Sequence, residues 1–310
     1  MKWYNQKELS AGVKRLVISW YLYKVFGKKA AEFIAFLVSF FTFIFSKQIR
    51  KITAKNLNVI YEFTNNPNSK PTFLNCYKNV LNYALSLVDK METYARTFDI
   101  NKLDFAQDTD KEELLELMQN KKGVFFLCSH IGNVEVLRIF ISNPKNFVWP
   151  ANPHVNIFLS KNQCRVFKDF LSRISVEANF STYAVEDTDI TTAVEMEEKL
   201  KNGDILFMAG DRISPNAPNA SFCADFLNRK VNFPVGSFKF AQLCGADVYF
   251  ICALKDRGDF YKIYVQKFIP DNKLSKKQNL ENMQKGYVNF LQQAVKIAPL
   301  QFYHFYDLFE

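Results

Sequence analysis

The chain reads as an α/β protein in which a mixed, mostly parallel central sheet is flanked by helices and preceded by a helical, membrane-associated N-terminal segment. Three observations lead there. Short apolar runs at Val124–Cys128 and at residues 205–208 and 248–253 alternate with stretches of helical periodicity, the pattern of an α/β layer architecture. The preceding residues have a different texture, so a basic, hydrophobic helical region over 1–100 and an α/β domain over 101–310 are expected. Finally, 48% hydrophobic and 23% charged residues in a 310-residue chain supply a substantial core and exclude a disordered chain. With 10 Gly and 10 Pro against 32 Phe, the chain is neither collagen-like nor a Gly-punctuated sandwich.

Residues 7–26 place Leu9, Val13, Leu16, Val17, Trp20 and Tyr23 at helical spacing with Lys14, Arg15 and Lys24 between them, and Gly27 is expected to end this helix. Residues 33–46 are then uncharged and include six Phe, bracketed by Lys28, Lys29 and Glu32 before and by Lys47, Arg50 and Lys51 after. At about 1.5 Å per residue this makes roughly 21 Å of helix, short of the roughly 30 Å hydrocarbon core of a bilayer. It is expected to lie in the interface, with a buried core helix and a spanning helix as the alternatives. No small-residue cleavage pattern follows it, so it does not read as a signal peptide. Charge agrees: through Lys55 there are eleven Lys or Arg and two Glu, while residues 56–310 carry 29 of each sign, so the whole +9 is N-terminal. A basic excess around the greasiest stretch points to an anionic membrane surface, not to nucleic acid.

Residues 65–71 (Asn-Asn-Pro-Asn-Ser-Lys-Pro) break the chain, and a helix is expected over 73–96. Beyond it come a strand at Val124–Cys128, a helix over 134–141, a strand at 147–149 and a helix over 157–171. A helix over 191–200, a strand at 205–208, a helix over 238–243, a strand pair at 248–253 and 261–265, and a last helix at Lys276–Ile297 complete the pattern. The six cysteines form no C-x-x-C pair and sit mostly in apolar runs, which fits reduced, buried thiols better than disulfides or a zinc site.

The sharpest local feature is Ser129-His130-Ile131-Gly132-Asn133-Val134-Glu135, directly after a buried strand. The carboxyl rim of an open α/β sheet is where ligands bind. His130 and Glu135 are five apart and do not face each other on one continuous helix. With His130 in the turn, Gly132 bending the chain and Asn133 capping the next helix, Glu135 falls in the first helical turn and is expected to reach back to the imidazole. Such a pair makes a general base without a protein nucleophile. His154 reads as a loop residue and His304 as a packed one, and neither forms a metal-ligand spacing with His130.

This stretch resembles the H-x4-D/E block of the lysophospholipid acyltransferase superfamily, in the form seen in lipid A late acyltransferases. Further segments agree in order: Phe207-Met208-Ala209-Gly210-Asp211-Arg212; Phe226-Leu227-Asn228 through Phe233-Pro234-Val235-Gly236, where an F-x-G-x-x-x-x-F-P-x-G pattern leads into a helix; Cys244-Gly245-Ala246-Asp247-Val248; and Pro299-Leu300-Gln301-Phe302-Tyr303. Asn228 departs from the family's usual Gly. The resemblance covers about residues 120–310. It implies acyl transfer from a thioester, carried by acyl carrier protein or coenzyme A, to a hydroxyl or amine of a lipid acceptor, with no cofactor or metal. His130 would take the acceptor's proton, Glu135 would orient it, and the backbone amides of Gly132 and Asn133 would receive the oxyanion. Asn133, Asp211 and Arg212 are expected to bind substrate, Arg212 through a phosphate, with Arg165 and Arg229 as further candidates of that kind.

There is no G-x-S-x-G elbow, no G-x-G-x-x-G fingerprint and no Walker A loop, and Cys128 lies among apolar residues rather than in an electropositive setting. Two rivals stand: a non-catalytic lipid-binding protein of the same fold, and an acyl-thioester hydrolase in which the same histidine activates water.

Overall fold

All five residues of Val124–Cys128 are buried, as a strand covered on both faces requires. In the computed structural model, which describes residues 13–137, 153–174, 180–214 and 217–309, this strand is the centre of the molecule. The strands are β1 (Leu103–Phe105), β2 (Val124–Cys128), β3 (Val155–Leu159), β4 (Phe180–Ala184), β5 (Ile205–Ala209), β6 (Ser221–Phe226), β7 (Arg229–Pro234), β8 (Asp247–Lys255) and β9 (Tyr261–Phe268). The helices are α1 (Val13–Phe45), α2 (Lys47–Thr64), α3 (Phe73–Tyr94), α4 (Lys111–Gln119), α5 (Lys161–Ile174), α6 (Ile190–Lys201), α7 (Gly236–Cys244) and α8 (Lys276–Ile297).

Seven strands form one sheet in the order β1-β9-β8-β2-β5-β3-β4. Every pairing is parallel except β8 with β9, so the sheet is mixed and mostly parallel, as expected. Alternation along β2 divides the core. Phe125 and Leu127 join a cluster with Leu206, Met208, Phe250 and Tyr287; Val124, Phe126 and Cys128 join another with Phe207, Tyr249 and α4 residues Leu114 and Leu117. Each large side chain so enclosed contributes on the order of 1.5–3 kcal/mol. The register of β2 against β5 runs from Val124↔Ile205 to Cys128↔Ala209. Both strands therefore end level, and the residues two beyond each end, His130 and Asp211, come out side by side at the carboxyl rim.

The N-terminal helices share this core. Phe43, Leu57, Ile60, Cys76 and Val80 belong to the same cluster as Phe125, while Trp20, Tyr23, Met91 and Tyr94 pack on Phe167 and Phe170 of α5. Polar ties add to this: Lys28 of α1 lies 2.7 Å from Glu92 and 2.9 Å from Asp259, and Lys255 lies 3.1 Å from Asp89 of α3. Gly27 (φ 76°, ψ −179°) kinks α1 where a helix end was expected. A long stretch of α1 remains uncovered: Phe33, Val38, Phe41 and Phe45 are all more than half exposed. Among the described residues no single helix is long and apolar enough to cross a membrane; α1 and α2, bent by 94°, pass that test only as a pair.

Several expectations change. The helix placed over 157–171 starts at Lys161, because residues 155–159 form β3; a short apolar run adjoining a helical periodicity was absorbed into it. The strand expected at 147–149 lies outside the described residues, as does the helix over 134–141 beyond its first turn at 134–137. β1, α2, α4, β4 and the β6–β7 hairpin were not anticipated. In that hairpin Leu227 (φ 53°) and Asn228 (φ 59°) form the two-residue turn. Positive φ at both central residues is what a tight hairpin turn needs, and Asn tolerates it better than most residues, which accounts for Asn where Gly is usual.

Gly132 holds the loop after β2 in place. Its φ is +72°, and a Cβ there would lie 2.1 Å from the carbonyl oxygen of Ala253 at the end of β8. The left-handed conformation alone costs a side chain roughly 1–2 kcal/mol, and the collision adds to it. Gly132→Ala is therefore expected to destabilise the fold by more than about 2 kcal/mol, read as a lower midpoint in urea or thermal unfolding. An unchanged midpoint would show that the loop does not pack on β8 in this way.

Candidate active site

Asp211 and His130 meet where β5 and β2 end. The Asp211 carboxylate accepts from the His130 backbone amide through Oδ2 at 2.7 Å, and its Oδ1 lies 2.9 Å from His130 Nδ1. The Asp211 side chain is 1% exposed and that of His130 35%. A carboxylate accepts only, so a neutral His130 carries its proton on Nδ1 and keeps a lone pair on Nε2. Nε2 has no hydrogen-bond partner among the described residues.

A third segment closes on the same carboxylate. His304 Nε2 lies 3.1 Å from Asp211 Oδ2, and His304 Nδ1 lies 2.8 Å from the Tyr306 hydroxyl. Burial pushes Asp211 up, but the His130 imidazole beside it and hydrogen bonds from His130 and His304 outweigh burial and hold the carboxyl well below its usual range. Burial lowers His304 to about 4 in spite of Asp211, so this ring is neutral near pH 7.

The tail that brings His304 is laced to the loop after β2. Gly132 N–H donates to the Gln301 carbonyl at 3.0 Å, Tyr303 N–H donates to the His130 carbonyl at 3.2 Å, and Ile131 pairs with Phe302. The strand end is fixed from below by Tyr287, whose hydroxyl donates to the Cys128 carbonyl at 2.6 Å. The Cys128 thiol is pushed well up by burial, with Asp211 adding to it, which removes it as a thiolate nucleophile.

Glu135 does not reach His130. Its carboxylate lies 2.5 Å from Lys90 Nζ and accepts from Tyr94 at 3.4 Å, both on α3. The cause is local: the left-handed bend at Gly132 and the helical turn from Val134 carry position 135 towards α3 and away from the ring. The capping part of the expectation holds, since Asn133 Oδ1 accepts from the Glu135 amide at 3.2 Å. The oxyanion part does not. Gly132 N–H is taken by Gln301, and Asn133 N–H donates to the Ala253 carbonyl at 2.8 Å, so both amides are used in folding. The Asn133 side chain is also committed, to Tyr261 and to the Ser86 carbonyl, and at 5% exposure it is a buried joint rather than a substrate contact.

Arg212 is partly exposed, on the same rim as Asp211, with its guanidinium carbon 5.7 Å from the centre of the Tyr306 ring. Arg165 and Arg229 are engaged elsewhere: exposed Arg165 donates to Asn162 on α5 at 3.1 Å, and exposed Arg229 reaches Glu62 on α2 at 2.7 Å. Asp211, expected on substrate, instead faces two imidazoles from inside the protein. His304 was read as merely packed, and it does pack, 4.4 Å between ring centres from Phe302. The signal for its second role was the Pro-x-Gln-aromatic tail just before it, which marked this segment without saying what it touches.

Three carboxylates come together where α1 and α3 meet the turn after β8. Oxygens of Glu32, Asp89 and Asp259 lie within 4.8 Å of one another. Lys28 and Lys255 already neutralise this cluster, at 3.4 Å and 3.1 Å from Asp89, so its donor set is that of an ion-pair network.

The rim thus carries a partly exposed imidazole clamped at Nδ1 by a buried acid, an arrangement suited to removing a proton from an incoming nucleophile. No curated protein is significantly similar to the chain. The family model described as bacterial lipid A biosynthesis acyltransferase matches residues 11–310, nearly the whole length, and the chain belongs to that family of lipid acyltransferases.

Proposed function

We propose that the protein moves a fatty acyl chain from a thioester donor, acyl carrier protein or coenzyme A, to a hydroxyl or amine of a lipid or glycolipid acceptor, with His130 as general base and Asp211, not Glu135, as its orienting acid. The acceptor oxygen or nitrogen attacks the thioester carbonyl carbon while its proton passes to His130 Nε2. The tetrahedral intermediate then collapses, the C–S bond breaks, and the imidazolium returns the proton to the leaving sulfur. Asp211 keeps its charge throughout and stabilises the imidazolium. Arg212, on the same rim, is the cation suited to a phosphate of acceptor or donor. The observation that carries this reading is one partly exposed ring whose Nδ1 is clamped by Asp211 and whose Nε2 has no hydrogen-bond partner among the described residues.

The N-terminal layer supplies the second half of the proposal. The exposed Phe-rich stretch of α1 faces away from the core, with Lys47 and Lys51 exposed on the next helix. An apolar surface of this size with basic residues beside it suits monotopic attachment to an anionic membrane, here proposed at the cytoplasmic face of the inner membrane, from which a lipid acceptor enters the rim.

Two outcomes are expected. His130→Ala and Asp211→Asn should each lower acyl transfer by roughly 10²- to 10⁴-fold, measured with labelled acyl donor and membrane lipid, and Glu135→Gln should cost much less. Full activity in Asp211→Asn would overturn the assignment, and free fatty acid as the sole labelled product would make the protein a hydrolase. Separately, Phe41→Glu with Phe45→Glu should abolish flotation of the protein with anionic liposomes. Undiminished flotation of that double variant would remove α1 from this role.

A further inference from the structure

Asp211 is held by more than the histidine it orients. Its Oδ2 receives the His130 backbone N–H and lies 3.1 Å from His304 Nε2, while His130 Nδ1 lies 2.9 Å from Oδ1 and 3.1 Å from Oδ2. Extending the proposed reaction, and resting on the His130–Asp211 reading, we propose that His304 and Tyr306 of the C-terminal tail are positioning residues that fix the rotation and charge of Asp211 and, through it, the tautomer of His130.

The donors and acceptors around Asp211 fit together in one direction only. Asp211 is ionised and can only accept, so the His304 nitrogen facing it, Nε2, must carry the proton. His304 is buried and neutral near pH 7. Its Nδ1 is then a lone pair, and the Tyr306 hydroxyl at 2.8 Å donates to it. Burial keeps that hydroxyl protonated. The result is a relay of orientation: Tyr306 O–H to His304, His304 N–H to Asp211, and His130 N–H to Asp211. No proton travels along it, because His304 has no free site to receive one without losing the Tyr306 bond.

A carboxylate with one partner can swing about its last torsion and offer either oxygen. Here Oδ2 is engaged by the His130 backbone amide and by His304, donors from two different segments, and this holds the carboxylate edge-on to the ring, with His130 Nδ1 2.9 Å from Oδ1 and 3.1 Å from Oδ2. Sharing the charge with His304 also limits how strongly Asp211 stabilises the His130 imidazolium. The titratable and charged groups facing this centre are His130 and Cys128 from the end of β2, Arg212 beside Asp211, Tyr306 from the tail and Tyr287 from α8. His304 faces the same centre, and its removal takes one donor from Asp211 Oδ2 while leaving both His130 contacts.

The test uses the full-length protein with a labelled acyl donor. His304→Ala should lower kcat by about 10- to 100-fold, the cost found when the hydrogen-bond partner that orients a metal-binding histidine is removed, with KM little changed. The acid limb of kcat/KM should move to higher pH, because Asp211 loses a competing donor and holds the imidazolium more tightly. His304→Gln, whose amide N–H can replace Nε2–H, should recover most of kcat and restore the limb, and Tyr306→Phe should move both in the direction of His304→Ala by less. Wild-type kcat and pH profile in His304→Ala would overturn the proposal. Equal loss in the Ala and Gln variants with an unmoved limb would also overturn it, making His304 a packing residue. Where the Ala variant does not fold, ¹⁵N NMR of the wild-type imidazoles decides, since the chain has only three histidines: His304 must be the Nε2–H tautomer at pH 7, and an Nδ1–H or doubly protonated ring refutes it. Failure of the underlying reading looks different, as Asp211→Asn would then stay active.

Discussion

A charged carboxylate with 1% of its side chain exposed is the constraint around which the molecule is organised. Left without partners it would cost several kcal/mol and would protonate instead. It stays ionised because three stretches remote in sequence converge on it: the end of β2, the end of β5 that carries it, and the tail after α8. The parallel register of β2 and β5 brings the first two together. The third requires a chain that, 93 residues further on in sequence from Asp211 to His304, runs back across the sheet rim and pairs with the loop after β2.

That return path explains the N-terminal helices better than an appended anchor does. The tail is held from outside by Asn56 of α2, which donates to the His304 carbonyl at 2.6 Å, and by Asn79 of α3, which donates to the carbonyls of Leu300 and Phe302 at 3.1 Å. Both asparagines are buried, and a buried side-chain N–H without such an acceptor would be unfavourable. Glu135 serves the same end from the other side by pairing with Lys90 on α3. The helical layer thus holds the tail and the loop that meet at the imidazole, and α1 packs in the same core as these helices.

Much of this was legible in local pattern. The buried runs at Val124–Cys128 and around residues 205–208 identified the two central strands, and strand ends predict where polar residues matter, so His130 and Asp211 both stood out. The break at residues 65–71 and the last helix also follow from local chemistry: Ser275 and Gln278 form a capping box that starts α8 at Lys276. Elements decided by partners rather than by pattern stayed hidden. β1 is three residues long and exists through its pairing with β9, and β4 is a half-buried edge strand with no apolar run to mark it. β3 merged with the helix after it for lack of a turn signal between Leu159 and Lys161.

The site shows the same division more sharply. Spacing within one motif suggested that the acid five residues from His130 would brace it, since both lie on one short stretch. Spacing, however, counts residues and not direction. A positive φ at Gly132 reverses the chain, and the bend that brings the Asn133 cap into place also swings Glu135 to α3. Asp211 is 81 residues away in sequence from His130 yet adjacent in the sheet, because parallel neighbours with level ends put equivalent positions side by side. The acid that can orient the ring is therefore set by sheet register, a long-range property, whereas the nearby acid serves to join the loop to the helical layer. Both carboxylates contribute to the same site, one by holding the imidazole and the other by holding the loop that carries it.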